Sequence, residues 1–164
     1  TLIAGKTSLP TPSGIRRIDV VTASEMFDAV INEVSQNEIF ISVAAVSDWR
    51  VANPSDHKLK KESGLAPEIH FEANPDILAT VANLEDPPYC VGFAAETDHL
   101  IDNARAKVIR KNVPLIVANL VEDAMNLDTN CVALVDRDNA IELPKASKDE
   151  VAQALIRKIA SEVN

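Results

Sequence analysis

Glycine is scarce in this chain, with four residues in 164. That leaves little material for a phosphate-cradling loop. Neither GxGxxG nor GxxxxGK[ST] occurs, which argues against a complete dinucleotide-binding dehydrogenase or a P-loop enzyme. Cysteine is nearly absent: Cys90 and Cys131 lie far apart and belong to no CxxC pair. With only three scattered histidines, a zinc site is disfavoured, and the two thiols read as reduced cysteines of a cytoplasmic protein. No GxSxG elbow and no convincing Cys–His arrangement offers a nucleophile. Long apolar runs are missing as well, none approaching the roughly 18 residues of a membrane-spanning helix. The opening TLIAGKTSLP has no charged segment leading into a long apolar core, so it does not read as a signal peptide. Positive charge is in deficit, 16 Lys and Arg against 25 Asp and Glu for a net charge of -9. A general nucleic-acid or anionic-membrane binder needs a broad positive field, and this chain lacks one.

What is present reads as an ordinary globular domain, 46% hydrophobic and 25% charged. Its length suits a single domain over 1–164 with a substantial core. TLIA at residues 1–4 reads as the end of a buried strand, and RIDVV at 17–21 as another. Thr22-Ala-Ser-Glu25 fits a capping box ahead of a helix whose apolar stripe is Met26, Val30, Ile31 and Val34. IFISVAAV (39–46) is continuously apolar, as expected of a parallel strand covered on both faces. EIHFE reads as an edge strand. Asn74 then caps a helix that Pro75 begins and that runs to about Leu84. PYCVGFAA and PLIVANL are further buried strands, separated by a helix over 98–111. CVALVD and AIELP form an antiparallel hairpin, and Ser147-Lys-Asp-Glu150 is a second capping box opening a last helix to about Val163. Apolar strands alternating with amphipathic helices predict an open α/β sheet.

In such sheets ligands meet the carboxyl ends of the strands. Those ends read AAVSDWR, GFAAET and VAN. Asp48 could accept hydrogen bonds from a sugar, hold a metal ion, or simply start a turn. Phe93 could stack on a base or pack in the core. Thr97 reads as a helix cap, and Asn119 as a polar contact or a turn residue. Seven of the 16 basic side chains fall in two short windows: Lys58, Lys60 and Lys61, then Arg105, Lys107, Arg110 and Lys111. Lys107 and Lys111 share a helix face. Each cluster alone is explained by solvation, or by cations compensating a helix C-terminus. Together at one sheet's strand ends they suggest a grip on phosphate, because a field confined to a cleft can be positive while the net charge is negative.

The run AAVSDWR, KLKK, NPDIL, GFAAET, then ARAKVIRKN with LIVAN, resembles the bacterial phosphopantothenoylcysteine synthetase (phosphopantothenate–cysteine ligase) family in order and approximate spacing. That family forms the C-terminal half of bifunctional coenzyme A biosynthesis flavoproteins, and the resemblance covers essentially the whole chain. It implies a three-layer Rossmann-like α/β fold: a mostly parallel sheet with helices on both faces, plus an antiparallel dimerisation hairpin at about 130–144 and a flap at 53–66. It implies a ligase in which CTP, with magnesium, activates 4'-phosphopantothenate as an acyl-cytidylate that cysteine then converts to the amide. The matching positions make Lys58 the catalytic lysine that closes on the nucleotide. Ser42, Val43, Ala44, Asp48, Pro75, Asp76, Ile77, Leu78, Phe93, Lys107 and Lys111 complete the nucleotide pocket. The metal ligands are not identified, and no flavin is expected on this chain. The implied partners are the small-molecule substrates, a second copy in a homodimer, and a flavin-dependent decarboxylase domain, fused or associated, with no nucleic acid and no membrane.

The sequence also departs from the family pattern. Its residues start where the family's second strand ends, without the opening strand, the glycine-rich turn or the asparagine-bearing phosphopantothenate segment. A competing expectation is therefore a CTP-binding and dimerisation module without turnover. A third is a structural α/β domain with solvated lysines, and a nicotinamide oxidoreductase is the most distant. Ser47, Trp49 and Ala73 stand where Ala, Tyr and Lys are common.

Overall fold

The computed structural model describes residues 1–55, 57, 68–120 and 129–163. Reciprocal side-chain caps fix two of the helix starts. Thr22 Oγ1 accepts from the Glu25 amide at 3.1 Å, and Glu25 Oε2 accepts from the amides of Val21 and Thr22 at 2.7 and 3.4 Å. Helix α1 (Ala23–Val34) follows and buries Val30 and Val34 from the expected stripe. Ahead of the last helix, Ser147 Oγ and the Ser147 amide both donate to Glu150 Oε2, at 2.7 and 2.9 Å, and the Glu150 amide returns a bond to Ser147 Oγ at 3.3 Å.

Two compact units make up the chain, Thr1–Val30 with Ala45–Asp76, and Ile31–Ala44 with Ile77–Asn164. In the first, β1 (Leu2–Ala4) runs parallel to β2 (Arg17–Asp19), with Leu2 opposite Arg17. The expected buried strand at residues 1–4 is instead partly exposed, with one neighbour among the described strands. β2 is also shorter than RIDVV suggests, although the Val20 amide still donates to Ala4 O at 2.9 Å. An antiparallel pair joins β4 (Trp49–Val51) to β5 (Phe71–Ala73), with β3 intervening in sequence at Ile39–Ser42. Strand alternation sorts this pair into two faces. Arg50 and Glu72 oppose each other and form an ion pair at 2.8 Å, whereas Trp49, Val51 and Phe71 share the other face and are exposed.

Asn74 locks the base of that pair rather than capping a helix. Its Nδ2 donates to Ser47 O at 2.8 Å, its Oδ1 accepts from the Arg50 guanidinium at 3.0 Å, and its amide donates to Asp48 O at 2.8 Å. The next helix, α2, spans Ile77–Ala82, starting later and ending earlier than predicted.

The second unit holds a five-stranded sheet. Its remaining strands are β6 (Tyr89–Glu96), β7 (Leu115–Leu120), β9 (Val132–Val135) and β10 (Ala140–Glu142), in the order β10-β9-β7-β6-β3. β3, β6 and β7 are parallel, while β9 and β10 add the antiparallel hairpin read from the sequence. Asp136 closes its turn: its Oδ1 accepts from the amides of Asp138 and Asn139 at 2.9 and 2.6 Å. β8 (Thr129–Asn130) pairs antiparallel with β11 (Ala146–Ser147). On one face Val91, Leu115, Val117, Val132 and Leu134 pack against Val151, Leu155 and Ile159 of helix α4 (Lys148–Val163). The opposite face carries α2 and α3 (Leu100–Lys111), the latter burying Ala104 and Val108. β3 is an edge strand among the described residues, with Ile39 exposed and the next three residues half-buried rather than covered on both faces. Asn112 ends α3 in the left-handed region (φ 55°), and the Val113 amide donates back to Val108 O at 3.1 Å.

At Gly92 a Cβ would lie 2.5 Å from Leu78 Cδ2 and 2.7 Å from Ile116 Cδ1, both on buried side chains. Gly92→Ala should therefore destabilise the protein by about 1–3 kcal/mol, read from urea or thermal unfolding; an unchanged midpoint would show that α2 shifts freely. Hydrogen bonds from the Ser147 hydroxyl and amide hold the Glu150 carboxyl below the ordinary glutamate range. A depressed folded-state value gives stability that is present above the unfolded value, near about 4.3, and lost as pH falls through the folded one. The melting-temperature gap between wild type and Ser147→Ala should accordingly narrow on acidification from neutral pH. A gap independent of pH would contradict this.

Candidate functional site

β3 and β6 are staggered at their carboxyl ends. Their last paired residues are Ser42 and Gly92, and β6 continues to Glu96 bonded only to β7 among the described strands, with Ala95 opposite Asn119 and Glu96 opposite Leu120. The chain leaves β3 through Val43 and Ala44, both exposed. Ser42, Val43, Ala44 and the stretch Phe93–Glu96 thus stand at one end of the sheet, where parallel strands present ligand sites.

Helix α3 runs back down the sheet from that end, yet Lys107 reaches it. Helical side chains lean toward the N-terminus of their helix. Lys107 Nζ lies 2.6 Å from Glu96 Oε1, and the two side chains are 29% and 12% exposed. The buried Oε1 has no well-aligned hydrogen bond, so the contact is ionic in character. Lys111 follows one turn later on the same helix and is half-buried. Sequence reasoning singled out Lys107 and Lys111 but not Glu96. The available signal was an acidic residue closing an otherwise apolar strand.

Other predicted residues fall as follows. Leu78 is buried over Gly92, and Ile77 is buried at the start of α2. Phe93 is half-buried and packs against the core on the α4 side. In the other unit, Asp48 is exposed, with its carbonyl accepting from the Asn74 amide, Pro75 is half-buried, and Asp76 is exposed. Lys58, Lys60 and Lys61, with most of the expected flap, lie outside the described residues. Thr97 does not cap α3. That position belongs to His99, which adopts left-handed backbone (φ 43°) and makes no side-chain cap bond. Asn119 is no turn residue; it is buried within β7, its Nδ2 donating to Leu120 O at 3.0 Å. Cys90 is buried in β6, and burial pushes its thiol up to about 11, which leaves it protonated and unreactive at neutral pH.

A cavity of about 390 Å³ opens on the hairpin side, lined by His99, Asp102, Leu120, Cys131 and Glu142 among others. None of the sequence-predicted residues lines it. Two carboxylates at its wall would repel a phosphate chain, so an anion is better served by Lys107 and Lys111. Among the described residues no group of three or more His, Cys, Asp or Glu is placed to hold a metal ion.

The comparisons with known proteins decide the family. Residues 1–163 match the family described as the DNA/pantothenate metabolism flavoprotein C-terminal domain. The chain belongs to this family. Its relatives include the coenzyme A biosynthesis bifunctional protein CoaBC of Escherichia coli K12, 44% identical over 165 residues that cover 97% of this chain and 41% of that protein. The Vibrio cholerae protein of the same name is 42% identical, with the same two shares covered. The chain thus spans about two-fifths of the length of these relatives. Among solved structures, the C-terminal domain of CoaBC superimposes with a TM-score of 0.77 at 31% identity, covering 99% of this chain and 75% of the other. The family's mostly parallel sheet with helices on both faces is the architecture seen in the second unit.

Proposed function

We propose that this chain carries out the phosphopantothenate–cysteine ligase step of coenzyme A biosynthesis, with CTP as the activating nucleotide. The observation that carries this reading is Lys107: an ammonium held at the carboxyl end of β6, in a chain that matches this family along nearly its whole length. In the proposed reaction a carboxylate oxygen of 4'-phosphopantothenate attacks the α-phosphorus of CTP. The bond to the β-phosphate oxygen breaks and pyrophosphate leaves. The cysteine amino nitrogen then attacks the acyl carbon, loses a proton, and CMP departs as the amide forms. Both steps move highly charged phosphate groups, and fixed cations are the means of stabilising them.

Lys107 and Lys111 would face the phosphates, and Lys58 would add a third ammonium, closing on the nucleotide. Ser42, Val43 and Ala44 would let the nucleotide approach the backbone closely. Asp48 would accept hydrogen bonds from the ribose hydroxyls, Phe93 would offer a ring face to the cytosine, and the Pro75–Leu78 run would complete the pocket. Magnesium fits as an ion arriving on the triphosphate, because such ions need only one or two protein carboxylates besides phosphate oxygens.

The active form we propose is a homodimer. Trp49, Val51 and Phe71 leave an apolar face of one strand pair exposed, and Ile141 is exposed on the hairpin. A cytoplasmic setting suits the two free cysteines. Among the described residues no helix is long and apolar enough to cross a membrane. A flavin-dependent decarboxylase domain would work beside this one, which suits relatives named as bifunctional.

Pyrophosphate release from CTP should depend on both 4'-phosphopantothenate and cysteine. Lys58→Ala and Lys107→Ala should each lower CTP affinity at moderate salt. Unchanged affinity in both would leave the lysines as mere solvated charges and sink the nucleotide assignment, whereas CTP binding without pyrophosphate release would reduce the chain to a binding module. Sedimentation equilibrium should find a dimer in the wild type and a monomer in Trp49→Ser/Phe71→Ser; a dimer that survives both changes would place the interface elsewhere.

A further inference from the structure

We propose that Glu96 is a positioning residue for Lys107: it fixes the ammonium at the carboxyl end of β6 so that an anionic ligand meets a cation already in place. This rests on the nucleotide-binding reading above and names a residue that reading does not use. The geometry is one-sided. Glu96 is the last residue of β6, its side chain is 12% exposed, and its Oε1 sits 2.6 Å from Lys107 Nζ. Lys107 is the only charged group within ion-pairing distance of Glu96 among the described residues, and Glu96 the only one for Lys107. Without that tether a lysine in the third turn of α3 would be free to extend into solvent. A lysine loses more rotamer freedom than most side chains when a ligand fixes it, and the tether removes that loss beforehand. An ammonium has three N–H donors. Glu96 engages one side of it and leaves the rest for phosphate oxygens.

A carboxylate near a binding site for phosphate also repels the ligand, so placement and repulsion must be separated. Two substitutions do this, because Glu96→Gln and Glu96→Ala remove the same charge, but only Gln keeps an acceptor for the ammonium. Placement predicts that Gln binds CTP at least as tightly as wild type, while Ala binds about tenfold more weakly than Gln, the scale of the rotamer freedom a lysine regains. That difference should vanish in a Lys107→Gln background. Titration of each full-length variant with CTP, and with tripolyphosphate as a base-free probe, reads these values, and thermal melts confirm that each variant folds. Equal affinities for Gln and Ala would overturn the proposal, since repulsion alone treats them alike. A Gln-to-Ala gap that persists without Lys107 would overturn it too, because Glu96 would then act by another route. Wild-type protein that binds neither probe would instead remove the nucleotide reading itself, and the inference with it.

Discussion

Helix α2 can settle on the sheet because position 92 has no side chain. Leu78 and Ile116 occupy the space a Cβ would need, and the rest of that face follows from this approach. With α2 seated on β6, the strand is covered there, and α3 packs alongside on the same face. Gly92 is also where β3 makes its last pairing with β6. One missing methyl thus sets the depth of the helix layer, at the residue where β3 makes its last pairing.

Much of this was legible in the sequence where a signal was local. Both capping boxes form as hydrogen-bonded pairs, and the β9–β10 hairpin closes at Asp136 as its flanking apolar runs suggested. Errors arose where tertiary partners decided the outcome. Asn74 has the composition of a helix cap, but three bonds to Ser47, Asp48 and Arg50 claim it for the strand pair. IFISVAAV looks doubly covered because every residue up to Ser47 is apolar or small; its strand ends at Ser42 with a single neighbour among the described strands. Apolarity reports burial on average and says nothing of how many partners a strand finds. At the site, lysine spacing pointed to α3, yet Glu96 could not be found from spacing, since its link to Lys107 exists only once strand and helix are packed together.

Charge here is organised by place rather than by amount. With a net charge of -9, the surface as a whole repels anions, and acidic groups gather near Tyr89, whose hydroxyl is pushed up to about 12 by burial and by Glu162 and Asp136. That residue opens β6; Glu96 and its lysine close it. Each end of the strand thus lies by a lysine paired with carboxylate, Lys158 with Asp136 and Glu162 at one and Lys107 with Glu96 at the other.

The stagger between β3 and β6 makes β6 two kinds of strand in succession. At Val91 and Gly92 it is paired with a strand on each side, and side-chain volume is what is constrained there. From Phe93 to Glu96 one side of its backbone is left without a strand partner among the described residues. GFAAET straddles that change. Its small residues lie where a strand flanked on both sides becomes one flanked on a single side among the described residues.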